Sequence, residues 1–196
     1  MLSAYTEVEL DALREVANIG SSTAATALSS LIAMPVSVST PTALALPIAA
    51  AIEHAGPGEM VVTTVVIAVT GDLHALVMLV MKPSTVNVAC RLLGVEPDSD
   101  VGRSALAEVG NILSASYLGG LTTLTGLVLE TSPPEVVSDM LAAVLTSALL
   151  MDFDDEQVIL LESTLSVAGD ECSPAFLFVP TTGGVGDILD RLGIAA

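Results

Sequence analysis

Glu15-Val-Ala-Asn18-Ile-Gly20, echoed 93 positions later by Glu108-Val-Gly-Asn111-Ile-Leu113, is the pair of segments from which the organisation of this chain is read. Around the first, Leu13, Val16, Ala17, Gly20, Ala24, Ala27 and Leu31 fall on one side of a helix at 100° per residue. Around the second, Leu106, Val109, Gly110, Leu113, Tyr117, Gly120 and Leu124 do the same. Both faces are expected to be core. The first helix has a start signal in Thr6 with Glu9 three residues on, a possible capping box, and a stop in Pro35. The second is expected from about Arg103 to Leu124.

Outward from these helices the pattern repeats. Val36–Thr40 alternates as a strand does and is broken by Pro41. A short helix or turn is expected around Pro47–His54, then strands at Met60–Val69 and Leu73–Met81 joined at Gly71-Asp72. Pro83 opens a helix that Gly94 closes, and Glu96–Asp100 reads as a polar linker. Beyond it, Leu127–Glu130 suits a strand, Pro133-Pro134 breaks it, and Ser138–Leu150 looks helical. An acidic turn at Asp152–Glu156 precedes strands at Val158–Val167 and Ala175–Val179, with Gly169-Asp170 between them, and a last helix at Val185–Leu192. Leu13 aligns with Leu106, Ile19 with Ile112 and Pro41 with Pro134, and later landmarks align after a small drift: Pro83-Ser-Thr with Pro180-Thr-Thr, Leu93-Gly94 with Leu192-Gly193. This is the signature of an internal duplication. The expected fold class is α+β, a pseudo-two-fold duplicated unit with a mostly antiparallel sheet and two long helices packed on it. One domain, residues 1–196, is expected to consist of homologous halves at 1–96 and 99–196.

Composition narrows the function. The chain is 52% hydrophobic, with 3% aromatic residues, so its core must be aliphatic. Mean hydropathy is +0.77, yet the apolar runs, such as Met140–Met151, fall short of the roughly 20 residues a membrane span needs. No basic segment precedes an apolar one at the N-terminus, so neither a signal peptide nor membrane insertion is expected, and a cytoplasmic protein is. Cys90 and Cys172 form no metal-binding spacing and read as free thiols. With a net charge of −18 and Lys82 as the only lysine, no basic patch can face nucleic acid. The acidity suits either a surface that attracts a basic partner or a high-salt cytoplasm in which self-repulsion is screened; the scarcity of lysine favours the second.

Each long helix also carries a polar stripe opposite its apolar face: Asp11, Glu15 and Asn18 on the first, Ser104, Glu108 and Asn111 on the second. Spacing i, i+4, i+7 holds them within about 60° of arc. A turn further on stands a small residue, Ser22 or Ala115, leaving room for another protein. One such stripe would be an ordinary solvated face. In each copy a Pro falls 23 residues after the Asn; Glu, Asn and Pro matched at fixed spacing arise by chance on the order of once in ten thousand start positions, and Asn is a mediocre helix former. The stripe lacks His, Ser–His or Cys–His, which disfavours nucleophilic catalysis; His54 and His74 have no counterparts in the other half. One carboxylate and one amide per helix make a poor metal site. A carboxamide can instead orient an attacking water, and phosphoryl transfer depends largely on positioning and electrostatics. The carboxylate is then free to pair with a basic residue of the substrate protein.

The pattern Asp/Ser-x3-Glu-x2-Asn-x22-Pro, complete twice as Asp11, Glu15, Asn18, Pro41 and as Ser104, Glu108, Asn111, Pro134, resembles the signature of the CheC/CheX/FliY phosphatases. Two intact motifs in a chain of this length resemble the CheC family in particular. The resemblance implies that the substrate is the phosphorylated receiver domain of CheY. It implies that Asn18 and Asn111 position water beside the aspartyl phosphate, that Glu15 and Glu108 contact the receiver's active-site lysine, and that Pro41 and Pro134 are structural. It also implies that the chain needs no cofactor of its own, the Mg²⁺ belonging to CheY. Family members bind the receptor deamidase CheD, and the segment at Asp139 resembles the region that contacts it. The competing expectation is a non-enzymatic module that regulates CheD.

Overall fold

The computed structural model describes residues 6–149, 157–181 and 183–194; the acidic turn expected at Asp152–Glu156 lies outside them. In chain order the first half contains α1 (Glu7–Ile32), β1 (Ser37–Val38), β2 (Thr42–Pro47), α2 (Ile48–Ala55), β3 (Val61–Gly71), β4 (Ala75–Met81) and α3 (Pro83–Leu93). The second contains α4 (Asp100–Thr125), β5 (Leu129–Thr131), β6 (Glu135–Met140), α5 (Leu141–Leu149), β7 (Gln157–Glu162), β8 (Leu165–Val167), β9 (Asp170–Cys172), β10 (Ala175–Pro180) and α6 (Gly184–Arg191).

The long helices are closed by local chemistry. At the start of α1 the Thr6 hydroxyl accepts from the Glu9 N–H while the Glu9 carboxylate accepts from the Thr6 N–H at 2.5 Å, a complete capping box. The Thr6 N–H and hydroxyl, both donating to the Glu9 carboxylate, hold it below the usual carboxylate range. Ser99 caps α4 by accepting from the Gly102 N–H at 2.9 Å, and Gly126 ends it at φ +71°.

A seven-stranded sheet runs β2–β7–β10–β4–β3, with β5 and β6 both alongside β3, and every pairing is antiparallel. The order is symmetric about the β4–β10 seam: β10 answers β4, β7 answers β3, and β6 answers β2. Each half therefore lends strands to the other. First-half β2 pairs with β7 from Thr42↔Glu162 to Pro47↔Gln157, and second-half β6 pairs with β3 from Val61↔Met140 to Val66↔Glu135.

Strand β4 is buried on both faces, because helices cover both. Val77, Leu79 and Met81 join Phe176, Phe178, Ile159 and Val65 beneath α1 and α4, with α3 and α6 closing that layer. Leu76, Met78 and Val80 join Leu160, Leu177 and Val179 beneath α2 and α5. The small sheet β1–β8–β9 is hydrogen-bonded separately, and its Leu165 and Val167 join the layer beneath α1 and α4. Among the described residues no helix is long and apolar enough to cross a membrane.

Several sequence expectations need correction. The strand expected at Val36–Thr40 is only Ser37–Val38, and an unforeseen strand, β2, follows Pro41. The expected helix at Ser138–Leu150 begins at Leu141; Ser138, Asp139 and Met140 are strand, because their backbone groups bond to β3, more than 70 residues earlier. The strand expected over Val158–Val167 divides into β7 and β8. At the break, the Thr164 N–H donates to the Ser39 hydroxyl and the Ser39 N–H to the Thr164 carbonyl, each at 2.9 Å, drawing the chain into the small sheet.

Helices α1 and α4 cross without space for side chains. A Cβ on Gly20 would lie 2.7 Å from the Tyr117 Cα, and one on Gly120 would lie 2.8 Å from the Val16 carbonyl oxygen. At the adjacent Gly119 a Cβ would meet nothing within 4 Å. Gly120→Ala is therefore expected to lower stability by about 2 kcal/mol, while Gly119→Ala raises it by about 0.5–1 kcal/mol through helix propensity alone. Urea denaturation midpoints of the two variants should move in opposite directions, and two upward shifts would contradict this packing.

Candidate functional site

The packing of α1 and α4 turns their polar stripes away from the core. On α1, Asp11, Glu15, Asn18 and Ser22 are all exposed. On α4, Ser104, Glu108 and Ala115 are exposed and Asn111 is half-buried. The helices run antiparallel, since Val16 and Gly20 meet Gly120 and Tyr117. Helix rise then separates the two asparagines by roughly 12 Å along the axes, so each stripe has its own surroundings.

Those surroundings differ in charge. Beside the first stripe Arg14 donates to Asp11 one turn away, and its other amino group lies 3.5 Å from Glu7. Asp11 is thus held within the helix. At the matching place beside the second stripe stands Ala107. The nearby Arg103 is turned aside, donating to the Val136 carbonyl at 2.9 Å and tying α4 to β6.

The two prolines occupy matching places. Pro41 is buried immediately before β2, and Pro134 is half-buried immediately before β6. Each stands where an exchanged strand begins, a position that tolerates the lack of an N–H. Asp139 lies elsewhere: it is exposed on β6, accepts from the Met140 N–H at 2.7 Å, and lines a groove with Val66, Met78, Val137 and Val144. That groove is on the α5 side of the sheet, opposite the stripes.

Other chemistries find little support here. Burial raises both thiols, Cys172 to about 11, so neither is a thiolate near neutral pH. His54 bonds to Glu162 at 3.0 Å, remote from both stripes. Among the described residues no three His, Cys, Asp or Glu side chains converge as metal ligands do. What each stripe offers is an accessible carboxylate and, one turn on, an accessible amide that can both donate and accept.

Leu31 and Leu124 do not belong to the core faces on which helical periodicity puts them: they are 40% and 38% exposed. Val8 and Val101, near the helix starts, are 63% and 65% exposed. Each pair is separated by the same 93 positions as the stripes, a signal present in the sequence but masked there by the apolar character of the residues.

The model of the CheC-like family matches residues 8–44 and 101–138, each segment containing one stripe and its proline. The chain is 34% identical over 152 residues to the CheY-P phosphatase CheC of Bacillus subtilis (strain 168), covering 74% of this chain and 73% of that protein. The crystal structure of Thermotoga maritima FliY superposes with a TM-score of 0.78 at 20% identity, covering 97% of this chain and 98% of that one. A chain of the CheX–CheY–BeF3–Mg²⁺ complex from Borrelia burgdorferi matches with a TM-score of 0.50 at 15% identity, over 85% of this chain and 97% of that one. These two structures share the fold.

Because neither asparagine side chain is buried, Asn18→Ala and Asn111→Ala are expected to leave stability within about 0.5 kcal/mol of the parent, with a slight gain from helix propensity. Thermal melting checks this, and a large drop for either variant would mark that amide as structural.

Proposed function

The chain belongs to the CheC-like family, and we propose that it hydrolyses the aspartyl phosphate of a CheY-type response regulator at two sites, Glu15–Asn18 and Glu108–Asn111. The observation that carries this reading is the double presentation of one accessible carboxylate and one accessible amide, each pair on a rigid helix in a segment that matches the family.

The reaction needs a water molecule on the line of the phosphorus–aspartate bond. An amide at the end of a short side chain, itself fixed on a helix, supplies an acceptor and a donor that can hold such a water. As the water oxygen bonds to phosphorus, the bond to the aspartate oxygen breaks. The receiver recovers its carboxylate and inorganic phosphate leaves with the proton. Glu15 and Glu108, one turn before each amide, supply the charge that a receiver lysine would seek, fixing the distance between amide and phosphate. On this reading the chain holds no metal, and Mg²⁺ arrives with the phosphorylated receiver. One carboxylate and one amide on the same stripe are too few oxygens for a dedicated Mg²⁺ site, which is consistent with that division of labour. Asp11 is a supporting residue that orients Arg14, Ser104 is its uncharged counterpart, and the two prolines start the exchanged strands. The reaction belongs in the cytoplasm, where receiver domains are phosphorylated.

A second reading is favoured by one observation on the other side of the sheet. Val137 is 40% exposed beside Asp139 on the face of β6 that lines this groove, an apolar surface that could hold CheD. Such a partner would bind without covering the stripes. A CheD complex lost on Val137→Asp, with no effect of this protein on receiver phosphate lifetime, would favour a purely regulatory module.

The decisive measurement is the lifetime of phosphate on the cognate receiver, in Mg²⁺, with each asparagine changed separately and together. Asn18→Ala and Asn111→Ala should each retain the contribution of the other site. The double variant should lose the acceleration by roughly a hundredfold or more. Full acceleration in the double variant would exclude the mechanism.

A further inference from the structure

On the two long helices the reaction chemistry leaves four exposed apolar side chains unexplained: Val8 and Leu31 on α1, and Val101 and Leu124 on α4. Singly, exposed apolar residues are ordinary. Here they form two matched pairs in both sequence shift and exposure, and each valine precedes the glutamate of its stripe by seven residues. The antiparallel crossing brings the C-terminal end of one long helix beside the N-terminal end of the other. One groove accordingly holds Leu31 of α1, Leu93 of α3 and Asp100, Val101, Ser104 and Glu108 of α4.

Resting on the phosphatase reading, we propose that this groove seats the receiver domain at the second site, so that Leu31, from the first half, is a positioning residue for Glu108 and Asn111. Leu124 and Val8 do the same for Glu15 and Asn18, and each half completes the docking surface of the other. The occupant is a receiver surface that presents an ammonium group flanked by apolar side chains. The groove matches that chemistry: Leu31, Leu93 and Val101 form apolar walls, and Asp100 and Glu108 supply negative charge. Its continuity with the stripe is direct, because Ser104 and Glu108 belong to both. Val101 lies about 10 Å from Glu108 along the helix, well within the footprint of a protein–protein interface.

The test separates the sites with single-asparagine variants of the full chain. In the Asn18→Ala background only the second site turns over, and in Asn111→Ala only the first. Leu31→Ser and Val101→Ser should raise KM for the phosphorylated receiver roughly tenfold in the Asn18→Ala background, the factor that one apolar contact gives, with kcat little changed. In the Asn111→Ala background their effect should be less than twofold, and Val8→Ser and Leu124→Ser should show the reverse pattern. Leu31→Met should restore KM, and unchanged melting midpoints would exclude misfolding. Titration with beryllofluoride-activated receiver in Mg²⁺ gives the same comparison as Kd. If Leu31→Ser acts on both backgrounds equally, or on neither, the shared docking surface is wrong while the phosphatase reading stands. If neither single-asparagine parent accelerates phosphate loss, the phosphatase reading falls and takes the docking surface with it.

Discussion

Where α1 crosses α4 the two backbones touch, and the placement of both polar stripes depends on that contact. Gly20 admits the Cα and ring of Tyr117, and Gly120 admits the Val16 carbonyl. Close approach at these two points lets the helices share one aliphatic core while their opposite faces remain in solvent. Tyr117 anchors the crossing further. Its ring stacks at 4.5 Å on Phe176 of β10, and its hydroxyl reaches Ser163 at 3.2 Å, beyond the end of β7. A bulkier pair at the crossing would push the helices apart, and the geometry of everything they present would change together.

The strand exchange makes this arrangement a single unit. Neither half has a complete sheet: β3 lacks an outer neighbour without β5 and β6, and β7 lacks one without β2. The seam from Ala75↔Pro180 to Val80↔Ala175 joins the halves at the centre. Five strand pairings and the α1–α4 crossing thus connect them, all between residues distant in sequence. Such topology is slow to form, because loop-closure entropy must be met before the contacts stabilise anything. It also leaves few open strand edges in the middle of the sheet. The proline that follows each stripe by 23 positions acquires a physical meaning here, since it stands where the chain leaves its own half.

Much of this was legible in the sequence, and the reasons for the remainder are specific. Helix α1 announces itself by period, cap and stop, α4 by period, and β3 with β4 by β-branched runs around Gly71. The repeated Glu and Asn are visible because polar residues recur at one shift. Strands β2 and β6 were not legible: Thr42–Pro47 is rich in Ala and Leu, and Glu135–Met140 is mostly exposed. Both are strands through pairings with the opposite half, which no local window contains. Leu31 and Leu124 were misassigned for a related reason. A helical wheel records direction around an axis, but not where along that axis the neighbouring helix stops. The helix crossing lies near the middle of α1, and by Leu31 the covering surface has ended.

Duplication supplied two stripes, but it did not leave them equivalent. Arg14 stands beside the first and Ala107 beside the second, so a cation approaching Glu15 meets one already present, whereas one approaching Glu108 does not. In water a unit charge at about 4 Å contributes on the order of 1 kcal/mol, and salt weakens it further at longer range. Asp11 and Glu7 offset part of the Arg14 charge, which leaves a bias toward the second site rather than a block at the first. Backbone packing adds to the difference. Ala17 is fully buried with its methyl accommodated, whereas a methyl on its counterpart Gly110 would fall 2.5 Å from the Val65 side chain. Helix α4 is therefore pressed against the sheet at Asn111, consistent with that residue being half-buried while Asn18 is exposed. An amide held more firmly by its surroundings loses less entropy when it orients water. For the proposed reaction, charge and rigidity thus both favour Glu108–Asn111 over Glu15–Asn18, through residues that lie beside the shared motif rather than in it.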